Sequence, residues 1–241
     1  MRLKHITFTG IDAKTDIRDL QEIQREFPIA EFGVLTSYHW YENGNRYLDP
    51  KLMKNLRFND LRLSLHICGR AAHDAALGKW SDIHYLTWGT ARNFGRIQLN
   101  IANHKDNPAK VSYSDYGQEI IIQQRDGYHI PEYEATLENW NEYNGRLSVL
   151  LDASGGCGIN TELKVLPSTR KVGYAGGFNP DNVAEKLTFL MQHVHMGEFW
   201  IDMESGVRTD DWFDTDKVVK VLHICRDLLK GMGYETESEN R

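Results

Sequence analysis

Cysteine is scarce in this sequence of 241 residues, with three in all. Cys68, Cys157 and Cys225 form no Cys-x-x-Cys pair, and an odd number closes no disulfide framework. That excludes a disulfide-stapled secreted scaffold and suits free thiols in a reducing compartment. Long apolar runs are missing as well: none approaches the ~18 residues that a membrane span requires. The opening Met1-Arg2-Leu3-Lys4-His5-Ile6-Thr7 reads as a strand and not as a signal peptide. Positive charge is neither in excess nor clustered. The formal net charge is −6, and no Lys/Arg run suits nucleic acid or a membrane surface. No linker, low-complexity tract or internal sequence repeat divides the chain. These absences leave a cytoplasmic, soluble protein, monomer or homodimer, whose partner is a small molecule rather than nucleic acid or a membrane.

What is present is a rhythm of short apolar or alternating runs, most followed by turn residues and a helical pattern. Strands are expected over 3–9, 31–35, 61–68, 96–100, 119–123, 147–152, 172–175 and 199–203. Their starts recur at the spacing of β-loop-α-loop units. Between them, Ile17, Leu20, Ile23 and Phe27 form an apolar stripe stopped by Pro28. Asp49-Pro50 opens a helix carrying Leu52, Met53 and Leu56. Asn179-Pro180-Asp181 opens another, with Val183, Leu187, Leu190 and Val194. Asp214-Thr215-Asp216 opens the last, with Gly231 as its C-cap. Alternating strands and helices imply a parallel sheet, and eight units close most simply into a (β/α)8 TIM barrel over residues 1–233. A polar tail, 234–241, follows and is expected to fray. Residues 103–116 and 160–168 have little helical periodicity, so those crossovers are expected to be short or irregular. An open sheet of six or seven strands is the alternative.

Active sites of such barrels sit at the C-terminal ends of the strands. Alternation places Thr7, Thr9, His66, Cys68, Gln98, Asn100, Asp152, Asp202 and Glu204 at that inner mouth, above an interior expected to be apolar. Polar groups gathered at one end need partners or a ligand, because burying them unpaired is costly. Glycine follows the late strands: Ser154-Gly155-Gly156-Cys157-Gly158, Gly176-Gly177 and Ser205-Gly206. Such loops bring backbone N–H groups close to an anion, and those after strands seven and eight form the usual phosphate site of these barrels. The same glycines also suit tight strand-to-helix turns. Asp202 and Glu204 admit a second reading as well, as acids bridged by Arg46, Arg208 or Arg70.

These residues resemble a known family, phosphoribosylanthranilate isomerase of tryptophan biosynthesis. Leu150-Leu151-Asp152 with Gly155-Gly156-Cys157-Gly158 is similar to its strand-six motif. Ala175-Gly176-Gly177-Phe178-Asn179-Pro180-Asp181-Asn182-Val183 is similar to its strand-seven phosphate motif, and Asp202-Met203-Glu204-Ser205-Gly206-Val207 to its strand-eight motif. Gly33-Val34-Leu35 leading to Asn45-Arg46-Tyr47, and Ile97-Gln98-Leu99, resemble its second and fourth strands. The resemblance implies an Amadori-type intramolecular isomerisation of a phosphorylated sugar derivative, without a cofactor. An acid protonates the ribose ring oxygen and a base removes the C2 proton. It implies Asp152 as the acid and Arg46 as the grip on a substrate carboxylate, while Thr9, Gln98, Asp202 and Glu204, placed at the mouth by alternation, are expected to contact the substrate. Gly176, Gly177, Ser205 and Gly206 match its phosphate cradle, and glycine placement adds Gly155 and Gly156 as expected phosphate contacts.

One departure matters. The family's base is a cysteine in a Cys-Gly pair closing the first strand, and here that pair is Thr9-Gly10. A threonine hydroxyl is no general base near neutral pH. Cys68 or His66, at the end of the third strand, can take the role from a different direction. His66-Ile67-Cys68-Gly69-Arg70 and Asp152-Ala153-Ser154-Gly155-Gly156 resemble a bacterial branch of the superfamily, which implies a changed function. Two other classes stay open. One is a metal-dependent hydrolase or aldolase using His66, Asp152, Asp202 and Glu204, although the first strand has no His-x-His pair and no lysine ends a strand to form a Schiff base. The other is a non-catalytic relative that binds a phosphorylated metabolite.

Overall fold

The computed structural model describes residues 2–42, 44–56, 58, 60–101, 117–125, 146–154, 158–165, 171–194 and 197–234. Eight strands form one closed parallel ring in chain order: β1 (Arg2–Thr9), β2 (Ala30–Thr36), β3 (Leu63–Cys68), β4 (Arg96–Asn100), β5 (Glu119–Arg125), β6 (Leu147–Asp152), β7 (Val172–Ala175) and β8 (Glu198–Met203). The ring closes where β1 pairs with β8, Thr7 opposite Asp202. The open six- or seven-stranded sheet is thereby ruled out. Each strand lies within two residues of its expected bounds, and β4, β6 and β7 match them.

The helices are α1 (Ile17–Glu26), α2 (Arg70–Ala76), α3 (Trp80–Leu86), α4 (Val183–His193) and α5 (Thr215–Gly231). Among the described residues none is long and apolar enough to cross a membrane. Asp16 caps α1 by accepting from the Arg18 N–H, and Asp214 caps α5 by accepting from that of Lys217. Two expectations are corrected. The segment after Asp49-Pro50 makes only a 3₁₀ turn, Leu52–Asn55, with Leu56 already extended. The chain must enter β3 at Leu63, which leaves too few residues to repay a helix nucleus. The C-terminal glycine stop also lies two residues later: α5 runs through Gly231, and Gly233 takes the left-handed conformation at φ +78°. Residues 160–165 carry no regular element, as expected. Residues 103–116, 166–168 and 235–241 lie outside the described residues.

The ring's interior is not apolar, which corrects a third expectation. Outward residues such as Phe8, Val34, Ile67 and Leu99 belong to one large core that also holds helix residues, including Leu20, Ala72, Leu187 and Leu222. Inside, the apolar plug is small: Ile121, Leu150 and Trp200, with Ala175 against them. Both faces of a barrel strand are covered, so burial alone does not say which face is apolar. Here the helix-facing side takes the aliphatic residues and the inner side takes charge. Arg96 pairs with Glu31 at 2.8 Å and with Glu119 at 3.3 Å, and Lys171 reaches Glu119 at 2.8 Å. Thr7 donates to Glu31 at 3.0 Å, and Ser148 donates to Glu119. The Arg96 guanidinium lies 4.3 Å from the Trp200 ring centroid, a cation–π contact. Burial works to raise the Glu119 pKa, but Arg96 and Lys171 outweigh it and hold the group below its ordinary value.

Candidate active site

A cavity of about 600 Å³ opens at the C-terminal ends of the strands, within the usual size range for a small-molecule site. Thr9, Arg46, His66, Cys68, Gln98, Asp152, Gly176, Gly177, Asp202, Glu204, Ser205 and Gly206 all line it. The structure therefore brings together every candidate it describes except Thr7. Gly155 and Gly156 lie outside the described residues. Thr7 sits a layer lower, in the ionic floor.

The floor of the cavity is where β1, β2, β3 and β8 meet. Gly33 on β2 makes room there: a Cβ at that position would lie 2.6 Å from Thr9 Oγ1 and 3.0 Å from His66 Nε2. Thr9 Oγ1 instead donates to Asp202 Oδ1 at 2.8 Å. Asp202 is buried, and no cation stands within ion-pair distance of it among the described residues. Burial pushes its pKa up to about 8; the Thr9 hydrogen bond and Arg96 act against the shift, while Glu31 and Glu204 add to it. His66 shares a 3.0 Å hydrogen bond with Ser64. Burial first, and Arg96 second, hold its pKa down to about 3, so the ring is neutral at neutral pH and a weak proton acceptor. Cys68 is half-buried. Asn100 Nδ2 donates to its sulfur at 3.5 Å, and the Tyr47 hydroxyl is hydrogen-bonded to it. Burial and this contact hold the Tyr47 phenol above its ordinary pKa.

The two acids at the end of β8 separate in role. Arg46 Nη1 meets Glu204 at 3.0 Å and its Nε meets Asp211 at 3.0 Å. Arg46, the expected grip for a substrate carboxylate, is thus engaged by two carboxylates of its own chain and ties the loop after β2 to the loop after β8. Burial raises the Glu204 pKa despite Arg46 and Arg208. Arg208 serves elsewhere, donating to Gly10 O at 2.6 Å and to Asp12 at 3.1 Å. Arg70 pairs with Asp74 within α2. The bridging expected of these arginines holds for Glu204 and fails for Asp202.

On the other side, Asp152 receives three donors. Gln123 Nε2 reaches one oxygen at 2.7 Å, while the Ser154 N–H and hydroxyl reach the other at 3.0 and 2.7 Å. Ser154 Oγ in turn accepts from the Gly158 N–H at 3.0 Å. The loops after β7 and β8 pack backbone to backbone: a Cβ on Gly206 would collide with the Phe178 carbonyl oxygen. Asn182 Nδ2 donates to Gly177 O at 2.9 Å, and its Oδ1 accepts from the Asn179 N–H at 2.9 Å. Lys186, in the first turn of α4, is 9% exposed and donates to Thr161 O at 2.6 Å and Gly176 O at 2.7 Å. Burial lowers its pKa. No carboxylate stands within ion-pair distance of this cation among the described residues.

Sequence reasoning missed Gln123, Tyr47, Ser154 and Lys186. Gln123 was within reach, because the Glu119, Ile121, Gln123 alternation points it inward on β5. Lys186 was not, since a lysine in an amphipathic helix reads as solvated surface. The metal-dependent alternative finds no support in the side-chain arrangement: among the described residues no three of His, Cys, Asp and Glu come together as an ion-holding group.

Comparison with known proteins falls on the same features. The family model described as N-(5'-phosphoribosyl)anthranilate (PRA) isomerase matches residues 109–223, just under half of the chain. No protein of curated function matches in sequence. Among solved structures, the phosphoribosyl anthranilate isomerase from Thermococcus kodakaraensis aligns with a TM-score of 0.51 at 14% identity, over 93% of this chain and 100% of that one. A protein from Chromobacterium violaceum, named for spore coat polysaccharide biosynthesis (protein E), aligns with a TM-score of 0.61 at 12% identity, over 99% of this chain and 78% of that one. Those two likenesses bear on fold alone, whereas the family match spans the strand-six, strand-seven and strand-eight motifs. The chain is a (β/α)8 barrel whose residues 109–223 are similar to phosphoribosylanthranilate isomerase.

Proposed function

We propose that this barrel isomerises a phosphorylated sugar derivative by general acid–base catalysis, without a cofactor. One observation carries the reading: two carboxyl groups, Asp152 and Asp202, and the glycine loops after β7 and β8 open on the same cavity. The family match supports an isomerase-like activity. The loops supply backbone N–H groups, and Lys186 adds a buried positive charge behind Gly176, an arrangement that favours a phosphate. The remaining cavity accommodates the sugar and a modest aglycone. A substrate carboxylate has to displace Glu204 or Asp211 to reach Arg46, so anthranilate is one candidate aglycone among anionic and neutral ones. Cys68 and Cys225, neither of them in a disulfide, suit the reducing cytoplasm, where we place the protein.

The test is turnover of phosphoribosylanthranilate by the purified protein, followed as loss of substrate fluorescence. Turnover is expected, falling at least about a hundredfold in Asp152→Asn, the scale of a lost acid or base. No turnover with ribose 5-phosphate still raising the melting temperature would replace the aglycone and keep the phosphate site. Neither turnover nor ribose 5-phosphate binding would sink the proposal.

A further inference from the structure

Two carboxyl groups in one cavity pose the question of which gives a proton and which takes one. Strand register fixes their relation. Asp152 on β6 is paired with Ala175 on β7, and Ala175 with Asp202 on β8. The two acids therefore stand at one level of the ring, two strands apart, roughly 10 Å between backbones. Ala175, the residue paired with both, carries only a methyl side chain, and all three line the same cavity. Their surroundings differ in kind. Asp152 is met by three hydrogen-bond donors spread over both oxygens, and donors of this type favour a carboxylate. Among the described residues the Asp202 carboxyl meets one donor, Thr9, on Oδ1. Arg46, a cation lining the same cavity, is taken by Glu204 and Asp211.

We infer that Asp202 is the carboxylic acid that protonates the leaving ring oxygen, and that Asp152 is the carboxylate that takes the C2 proton. The assignment rests on the isomerase reading above and reverses the role that family resemblance gives Asp152. In the first step the Asp202 O–H proton passes to the ring oxygen as the C1–O bond breaks. The electron pair of that bond stays on oxygen, and the nitrogen lone pair at C1 forms a C=N bond. In the second step Asp152 accepts the C2 proton, and the C2–H electron pair becomes the C1=C2 bond of an enolamine, which tautomerises to the ketose. Solvent at the open mouth returns the proton from Asp152 to Asp202, so the reaction is balanced as an isomerisation. Thr9 is a positioning residue: it holds Oδ1 and leaves Oδ2 to carry the proton. The buried setting that keeps Asp202 protonated to about pH 8 is consistent with this role. The titratable and charged groups around it are Glu31 from β2, neutral His66 from β3, Arg96 from β4, Asp152 from β6 and Glu204 just beyond β8.

The experiment is the pH profile of kcat/KM for phosphoribosylanthranilate between pH 6 and 9.5. An acid at this site predicts a fall of about tenfold per pH unit above the Asp202 pKa. Asp202→Asn is expected to lose at least about a hundredfold and to show no such limb, with Asp202→Glu restoring part of both. Thr9→Val, which removes a bond favouring the carboxylate, is expected to move the limb to higher pH. Melting temperatures of the variants separate loss of fold from loss of function. A rate that rises through this range, or a limb that survives in Asp202→Asn, would overturn the assignment. A second assay needs no anthranilate: deuterium wash-in at C2 of ribose 5-phosphate, read by proton NMR in D2O. Exchange that stops in both Asp202→Asn and Asp152→Asn supports the pair even where phosphoribosylanthranilate is not a substrate. Exchange indifferent to Asp202→Asn, or absent from the wild-type protein in both assays, overturns it.

Discussion

Asp202 and His66 sit on one cavity floor and respond to burial in opposite senses. The folded protein keeps a proton on Asp202 up to about pH 8, whereas an ordinary aspartate loses it near 3.8. Stability from this group is full below 3.8 and is lost as pH climbs to about 8. His66 stays neutral down to about pH 3 against an ordinary value of 6.5, so its stability is present above 6.5 and is lost as pH falls toward 3. Between pH 6.5 and 8 only the first of these two dependences acts. Urea denaturation across that window is expected to show a loss approaching ~1.4 kcal/mol per pH unit in the wild-type protein. The same measurement on Asp202→Asn is expected to lack that slope. An equal slope in both proteins would mean that Asp202 ionises in the fold as it does in the unfolded chain.

At the scale of elements, the glycine loops act as a packed junction and not as loose turns. A methyl group at position 206 meets the carbonyl oxygen of Phe178, which is backbone and cannot swing aside. Gly206→Ala is therefore expected to cost about 1–3 kcal/mol, the scale of an overpacked site. It should also weaken ribose 5-phosphate binding, as read by calorimetry beside a thermal melt. Unchanged affinity would detach this junction from the ligand. The sequence made the strand ends and these late loops legible, because alternation and glycine spacing are local signals. Thr9 was legible as a departure, but its hydrogen bond to Asp202 was not, since it needs the ring to close. Arg46 could be placed in the mouth by its motif; its capture by Glu204 and Asp211 depends on where two separate loops fold back. The helix expected after Asp49-Pro50 failed for a related reason: its propensity was adequate, and the length of chain available was set by β3.

For the whole molecule, the ionic interior does the work that stacked aliphatic layers do in other barrels. Arg96, Glu31, Glu119 and Lys171 hold four strands, or the approach to them, through charge. Removing one partner leaves its neighbours buried and uncompensated, so Arg96→Met is expected to destabilise by about 3–5 kcal/mol in chemical denaturation. Glu31→Gln, which keeps the volume and part of the hydrogen bonding, should cost less. A loss under 1 kcal/mol for Arg96→Met would show the network to be interchangeable with packing.

The hydrogen bond between Thr9 and Asp202 joins positions 193 apart, across the seam where β1 meets β8. Contacts of such sequence separation form late, after the loop entropy of the intervening chain has been overcome. During refolding, all eight strands can pair in order, each beside its predecessor, while this seam is still open. In such an arc the glycine loops after β7 and β8 can already be in place while Asp202 still lacks its Thr9 partner. Under the proposed roles, ligand affinity is expected to return before catalytic competence, the second marking the moment at which the arc becomes a ring.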